Sequence, residues 1–470
     1  MSPSDQKTLE GLCYNRKIVW DYVDEREKSR IWDFSGEYKN FLNNVKTERE
    51  AVKAILSYAC GKGFCYLTGK DKLVPGDRFV AVNRHKEIIM GVIGTEPCET
   101  GLNIVGAHID SPRLDLKPQP LYEDEGLIWL KTHYYGGVKK YQWLAIPLSL
   151  HGTIVKNDGE VIPVSIGEKA DEPVFTVADL LPHLAKDQME KKMADAVAGE
   201  SMNILVGGVP VPAKKLPGRF KKAVLEHLFQ EFGIVEEDLI SSELELVPAW
   251  LARDVGLDRS FVGAYGQDDR VCAYAALGAV GEITTPERTI MVIFADKEEI
   301  GSSGNTGMQA AFFTNTAAEM LYRSASGYSE LVLRRVLANS RALSADVNVG
   351  LDPNYADVTE KANTARLGCG VVLTKYTGSK GKYSSNDAHA EFVGLIRRLF
   401  NDAGVIWQTG ELGKVDQGGG GTVAYLLAAF GIDVIDCGVP LLGMHSPFEV
   451  ASKADIYMAY KAYKTFLESK

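Results

Sequence analysis

The stretch TIMVIFADKEEIGSSG, Thr289 to Gly304, reads as a buried strand that runs straight into two adjacent glutamates. Ile290 to Ala295 is an unbroken apolar run of strand length, and Gly301-Ser302-Ser303-Gly304 turns the chain behind it. An apolar strand without polar alternation belongs in a sheet covered on both faces. Glu298 and Glu299 then raise a problem of charge. Two carboxylates side by side at the lip of a core repel each other and resist desolvation. Either they face water, or something cationic sits among them.

The flanking sequence repeats the pattern. Residues 47–61 have helical spacing, 79–82 and 88–93 are β-rich, and NIVGAH at 103–108 reads as another buried strand. Downstream, helices are expected at 268–282, 330–337, 386–401, 422–430 and 448–468. Strands alternate with them at 289–295, 342–348, 371–376, 405–408 and 433–437. Apolar strands alternating with amphipathic helices predict an α/β fold, with a sheet covered by helices on both faces. Between Pro112 and residue 253 the character changes. Short β-like runs (127–131, 143–150, 153–156) mix with helical stretches at 177–186 and 220–232, among Gly-Gly and Pro loops. The expected organisation is therefore a first part of one domain at 1–113, an inserted β-rich domain at 114–253, and the rest of the first domain at 254–470.

The chain has 470 residues, enough for two or three domains with large cores. Its 52 basic and 62 acidic residues give a net charge of -10, which argues against nucleic acid as the main partner. Seven scattered cysteines form no CxxC pair and are odd in number, as suits a reducing compartment. No apolar run reaches membrane-spanning length, and MSPSDQKTLEG carries no apolar signal core. A cytoplasmic protein without a membrane partner is expected. The eight histidines form no HxxxH or HExxH cluster, so a metal site would have to be assembled from distant segments.

In open α/β sheets, sites form where strands end. NIVGAHIDSPRLD delivers His108 and Asp110; VIFADKEEIG delivers Glu298 and Glu299; ALSADVNVG carries Asp346; DVIDCGVPLLGMHSP leads to His445. GAYGQDDRVC puts Asp268 and Asp269 at a helix start. Each has a plain structural reading when taken singly: a satisfied histidine, an N-cap, a turn residue, a solvated acidic loop. Two histidines and several carboxylates at element ends of one domain carry more weight together. Such N/O donors suit Zn²⁺, Mn²⁺ or Co²⁺. Three carboxylates and a hydroxide would balance two divalent cations.

At these residues the chain resembles the M18 family of metallo-aminopeptidases, which includes the aspartyl aminopeptidases. The matching motifs are GAHIDSPRLDLKP, GQDDR, DKEEIGSSG, SADVNVGLDPNY, KYSSND and VPLLGMHSPFEV, in family order. The resemblance implies a zinc-peptidase type of α/β fold, with a mixed, mostly parallel sheet sandwiched by helices and an inserted dimerisation domain. It implies two divalent ions, zinc foremost, with cobalt or manganese compatible. One ion would take Asp268, Glu299 and His445; the other would take His108, Asp268 and Asp346. Asp269 is the competing choice for the bridge. Glu298 matches the general base, and Asp110 a carboxylate that positions the site. Lys380, in TGSKGKYSSND, matches a substrate-side loop, against the plain reading of a solvated basic turn. His183, in LLPHLAKDQ, matches a histidine that reaches a neighbouring subunit's active site, against a helix-surface histidine. The implied substrates are peptides with a free N-terminus, and the implied assembly is a homo-oligomer of dimers forming a tetrahedral dodecamer. A related carboxypeptidase or deacylase, and a non-catalytic assembly protein on the same fold, are the competing readings. DQGGGGTVAYLL lacks the Lys-Ser/Thr of a P-loop, so its glycines are expected to let backbone approach the substrate or the metal centre. HYYGG, at 133–137, is expected to be a turn with no part in the site.

Overall fold

A computed structural model describes residues 12–325 and 327–470. Nine strands form its central mixed sheet, in the order Cys65–Tyr66, Arg78–Asn83, Glu87–Val92, Ile290–Ala295, Asn103–His108, Arg341–Ser344, Asp433–Gly438, Val371–Thr374, Trp407–Thr409. The four from Ile290–Ala295 to Asp433–Gly438 run parallel to one another. Glu87–Val92 and Val371–Thr374 flank them antiparallel. The fold is mixed α/β, as the alternation of elements predicts.

All six residues from Ile290 to Ala295 have no exposed surface. Successive side chains of a strand point to opposite faces. Ile290, Val292 and Phe294 enter one core, with Val271 of helix Gln267–Glu282 and Phe466 of helix Lys453–Leu467. Met291, Ile293 and Ala295 enter another, with Met320 of helix Phe312–Arg323 and Leu427 of helix Ala424–Ala428. The unbroken apolar run is thus a strand with a core on either side.

A second sheet, of seven antiparallel strands, is built between Arg113 and Pro248. The runs expected at 143–150 and 153–156 are a 3-10 turn, Lys140–Trp143, and one strand, Leu148–Val155. Inside that strand Gly152 has φ +135, and a Cβ there would lie 1.9 Å from the Glu243 carbonyl oxygen. Helix Arg219–Phe232 lies on this sheet, and an apolar cavity of about 550 Å³ opens between them. No helix spans 177–186. Thr176–Val177 is a strand, Pro182–Leu184 a single 3-10 turn, and Lys186–Met189 four residues of helix. Pro182 cannot continue a helix, and Leu180, Leu181 and Leu184 find no core to bury them.

A third sheet joins Arg253–Val255, Phe261–Ala264, Glu449–Ser452, Pro440–Leu442 and Asn348–Val349. It accounts for two further departures from expectation. The run at 342–348 is split, with Asn348–Val349 in this sheet. The helix expected from 448 begins at Lys453, because Glu449–Ser452 pairs with Phe261–Ala264. Among the described residues, no helix is long and apolar enough to cross a membrane.

Candidate metal centre

The strand that opens the sequence reading ends at Ala295, and Lys297 takes a left-handed conformation, φ 64. Glu298–Ile300 then form one 3-10 turn. The free N–H groups at the start of a helical turn need acceptors. Here both go to one carboxylate: Glu298 N donates to Asp110 Oδ1 at 3.1 Å and Glu299 N to Asp110 Oδ2 at 3.2 Å. Asp110 follows the adjacent parallel strand, whose His108 pairs with Ala295. The strand register therefore sets the two glutamates beside His108.

Asp268 lies at the centre of the cluster. Its Oδ1 is 3.2 Å from His108 Nε2 and its Oδ2 is 3.2 Å from His445 Nε2. Glu299 Oε2 is 3.4 Å from His445 Nε2. Glu298 and Asp346 each place an oxygen 3.9 Å from His108 Nε2. Asp269 turns away, its Oδ2 accepting the His108 backbone N–H at 3.2 Å. The Asp268–Asp269 peptide is cis, and both residues depart from helical backbone angles. Two trios have donor atoms all within 4.8 Å of one another: His108, Asp268 and Glu299, and His108, Glu298 and Asp346. These trios cut across the division implied by the family motifs, since they group Glu299 with His108 rather than with His445. His445 belongs to neither trio, although its Nε2 lies 3.4 Å from Glu299.

The electrostatics show an excess of buried negative charge. Burial lifts the Glu298 carboxyl to about 7 although His108 opposes it. Burial, then the Asp268 charge, holds Glu299 well above the usual carboxylate range. Burial and the Glu298 charge do the same to Asp346. Burial opposes the charged imidazole of His445, but its hydrogen bond to Asp268 and the charge of Glu299 push it up to about 10. Among the described residues no Lys or Arg pairs with any of these four carboxylates. Glu299 Oε1 is buried without a partner. Four carboxylates and two imidazoles with an orphaned buried oxygen form a donor set that fits divalent cations.

The structure thus brings together His108, Asp268, Glu298, Glu299, Asp346 and His445, with Asp110 beneath them. Lys380 and His183 are exposed, and among the described residues no contact joins either to the cluster. In the glycine loop, the close approach is to backbone of the same domain. A Cβ on Gly419 would lie 1.7 Å from the Gly378 carbonyl oxygen, and Gly378 N donates to Gly420 O at 2.8 Å. Its glycines admit the backbone of the loop that carries Lys380. The HYYGG segment, expected to play no part, is in the site. Tyr135 donates its hydroxyl to Asp110 Oδ2 at 2.8 Å, and Gly137 O lies 2.9 Å from His445 Nδ1. A Cβ on Gly137 would stand 2.9 Å from that same nitrogen. The glycine pair after a β-rich run was the available signal, since it marks close backbone approach.

A family model described as Aminopeptidase I zinc metalloprotease (M18) matches residues 41–467. A probable M18 family aminopeptidase 1 of Clostridium acetobutylicum is 49% identical over 462 residues, covering 97% of this chain and 99% of the relative. The crystal structure of an M18 family aminopeptidase from Thermotoga maritima superposes with a TM-score of 0.93 at 49% identity, over 97% of this chain and 100% of that one. The structure of the S. cerevisiae mApe1 dodecamer, 22% identical with a TM-score of 0.75 over 93% and 96% of the two chains, shares the fold. With these likenesses spanning nearly its whole length and the acidic cluster at its strand ends, the chain belongs to the M18 family of zinc metalloprotease aminopeptidases.

Proposed function

We propose that this aminopeptidase holds two divalent ions and removes N-terminal residues, acidic or neutral, from peptides. One observation carries the dinuclear reading: the two oxygens of Asp268 each face a different imidazole, at 3.2 Å. A carboxylate so placed would serve two ions. Asp268, Glu299 and His445 would hold one ion, and His108, Asp268 and Asp346 the other. Zinc suits these donors, and cobalt and manganese are compatible with them. Bound, the ions would supply Lewis acidity toward the scissile carbonyl and toward the attacking water. Glu298, its carboxyl lifted to about 7 by burial, takes the proton of that water and returns it to the leaving amine. Asp110 fixes Glu298 and Glu299 through their backbone N–H groups.

Residues 114–253 form a dimerisation domain inserted between the two parts of the catalytic domain, 1–113 and 254–470, whose helices sandwich the central sheet. His183 sits among exposed Leu180, Leu181 and Leu184, a surface suited to a second copy of the chain, where it would reach the neighbouring site. Lys380 would face the substrate. Assembly of dimers to a dodecamer, the state named for the yeast mApe1 structure, and a cytoplasmic location complete the proposal.

The test is kcat/KM for aminoacyl peptides spanning acidic, neutral and basic first residues, each with a free or an acetylated N-terminus, with metal content measured on the same sample. Two ions per chain and loss of cleavage on acetylation are expected. One ion per chain would overturn the dinuclear assignment, and equal cleavage of acetylated peptides would overturn the exopeptidase mode.

A further inference from the structure

We infer that Glu449 is a positioning residue that sets the bridging Asp268 and the ligand His445 in mutual register. This rests on the ligand assignment proposed above. Glu449 is 1% exposed, and among the described residues no Lys or Arg pairs with it. A buried carboxylate without a cation is costly unless its lone pairs are met by hydrogen bonds. Three backbone N–H groups meet them. Oε1 accepts from His445 N at 2.7 Å, and Oε2 accepts from Gln267 N at 2.6 Å and Asp268 N at 3.1 Å. Two of the three belong to proposed ligands, and the third to the residue before one of them. The Gln267 side chain adds a bond from its amide nitrogen to the Glu449 carbonyl oxygen at 2.7 Å.

The backbone at His445 explains the need. His445 has φ 64, a left-handed conformation that a non-glycine residue adopts only at some cost. Asp268 is extended, φ -81 and ψ 107, at the start of helix Gln267–Glu282, where its N–H needs an acceptor from outside the helix. Residues held in uncommon conformations persist where their surroundings fix them. Glu449 reaches both because Glu449–Ser452 pairs antiparallel with Phe261–Ala264, in the register Ala264 to Glu449. Among the described residues no hydrogen bond or ion pair joins its carboxyl to a proposed donor atom, so it positions ligands rather than serving as one.

The chain contains its own control. Asp455 is also fully buried and also accepts two backbone N–H groups, Gly368 N and Gly370 N, both at 2.6 Å. Neither glycine is a proposed ligand. Glu449→Gln replaces one acceptor oxygen by a donor, so either His445 or the Gln267–Asp268 pair loses its partner. Zinc affinity is measured by titrating chelator-stripped protein against a competing chelator, and the visible spectrum of the cobalt-substituted protein is recorded. Glu449→Gln is expected to weaken zinc binding by about 10–100-fold and to alter the cobalt spectrum. Asp455→Asn is expected to lower the melting temperature and leave both unchanged. Unchanged zinc affinity in Glu449→Gln, or equal weakening in Asp455→Asn, would overturn the inference. If Glu449→Gln does not fold, Glu449→Asp, which keeps both oxygens but withdraws them by one methylene, carries the same expectation. His445→Ala separates the two levels. If it leaves zinc affinity intact, the ligand assignment itself fails; if it weakens binding while Glu449→Gln does not, only the positioning role fails.

Discussion

Glu298 and Glu299 are neighbours in sequence with different surroundings. Glu298 keeps 16% of its side-chain surface exposed and Glu299 only 3%, so the first is the more open to solvent and the second is enclosed. That difference suits a proton carrier beside a ligand. Glu298→Gln is expected to retain its zinc while kcat falls by about 10²–10⁴-fold, read by steady-state kinetics and elemental analysis on one preparation. Full activity would remove Glu298 from the role of base. At this scale the sequence was legible wherever a residue sat at the end of a recognisable strand. His108, Asp110 and Glu298 follow directly from their apolar runs. Tyr135 did not, because its hydroxyl reaches Asp110 only through the pairing of Arg113–Asp124 with Leu127–Tyr135, in the register Arg113 to Tyr135.

Elements were legible where a local signal sufficed. Thr47 and Glu50 form a capping box at the start of helix Glu48–Gly61, and that helix begins where its spacing predicts. Thr47→Ala removes an acceptor from the Glu50 N–H and is expected to cost about 1 kcal/mol, seen as a lower melting temperature with unchanged kcat. An unchanged melting temperature would mean that tertiary packing alone sets this helix end. Elsewhere non-local pairing decided. Nothing within residues 448–452 distinguishes a strand from a first helical turn; the partner strand Phe261–Ala264 does. Helix Glu25–Asn44 lies outside the expected elements; it is mostly polar, with only Ile31, Ser35, Tyr38 and Leu42 buried.

At the scale of the molecule, the seven-stranded sheet is tied to the rest by a buried ion-pair cluster. His151, on Leu148–Val155, places Nδ1 2.8 Å from Glu50 of helix Glu48–Gly61 and Nε2 2.9 Å from Glu168. Burial disfavours the charged ring, yet the hydrogen bonds to Glu168 and Glu50 raise its pKa from 6.5 to about 9. A group raised on folding stabilises fully below its unfolded pKa and loses that contribution as pH climbs through the folded one. The melting temperature is therefore expected to fall more between pH 6.5 and 9 in the wild type than in His151→Gln. Parallel curves across that window would show that the cluster adds nothing pH-dependent. This tie was invisible in sequence, since Glu50 and His151 lie in different elements and meet only in the folded chain. The strand Ile290–Ala295 carries a last consequence, for changes of chain length. One inserted residue would send each side chain after it to the opposite core. Two would restore the alternation but carry both glutamates ~7 Å past Asp110, at about 3.3 Å per residue. The length of this strand is fixed by its two faces and by its end, so insertions and deletions can be accommodated in the loops but not here.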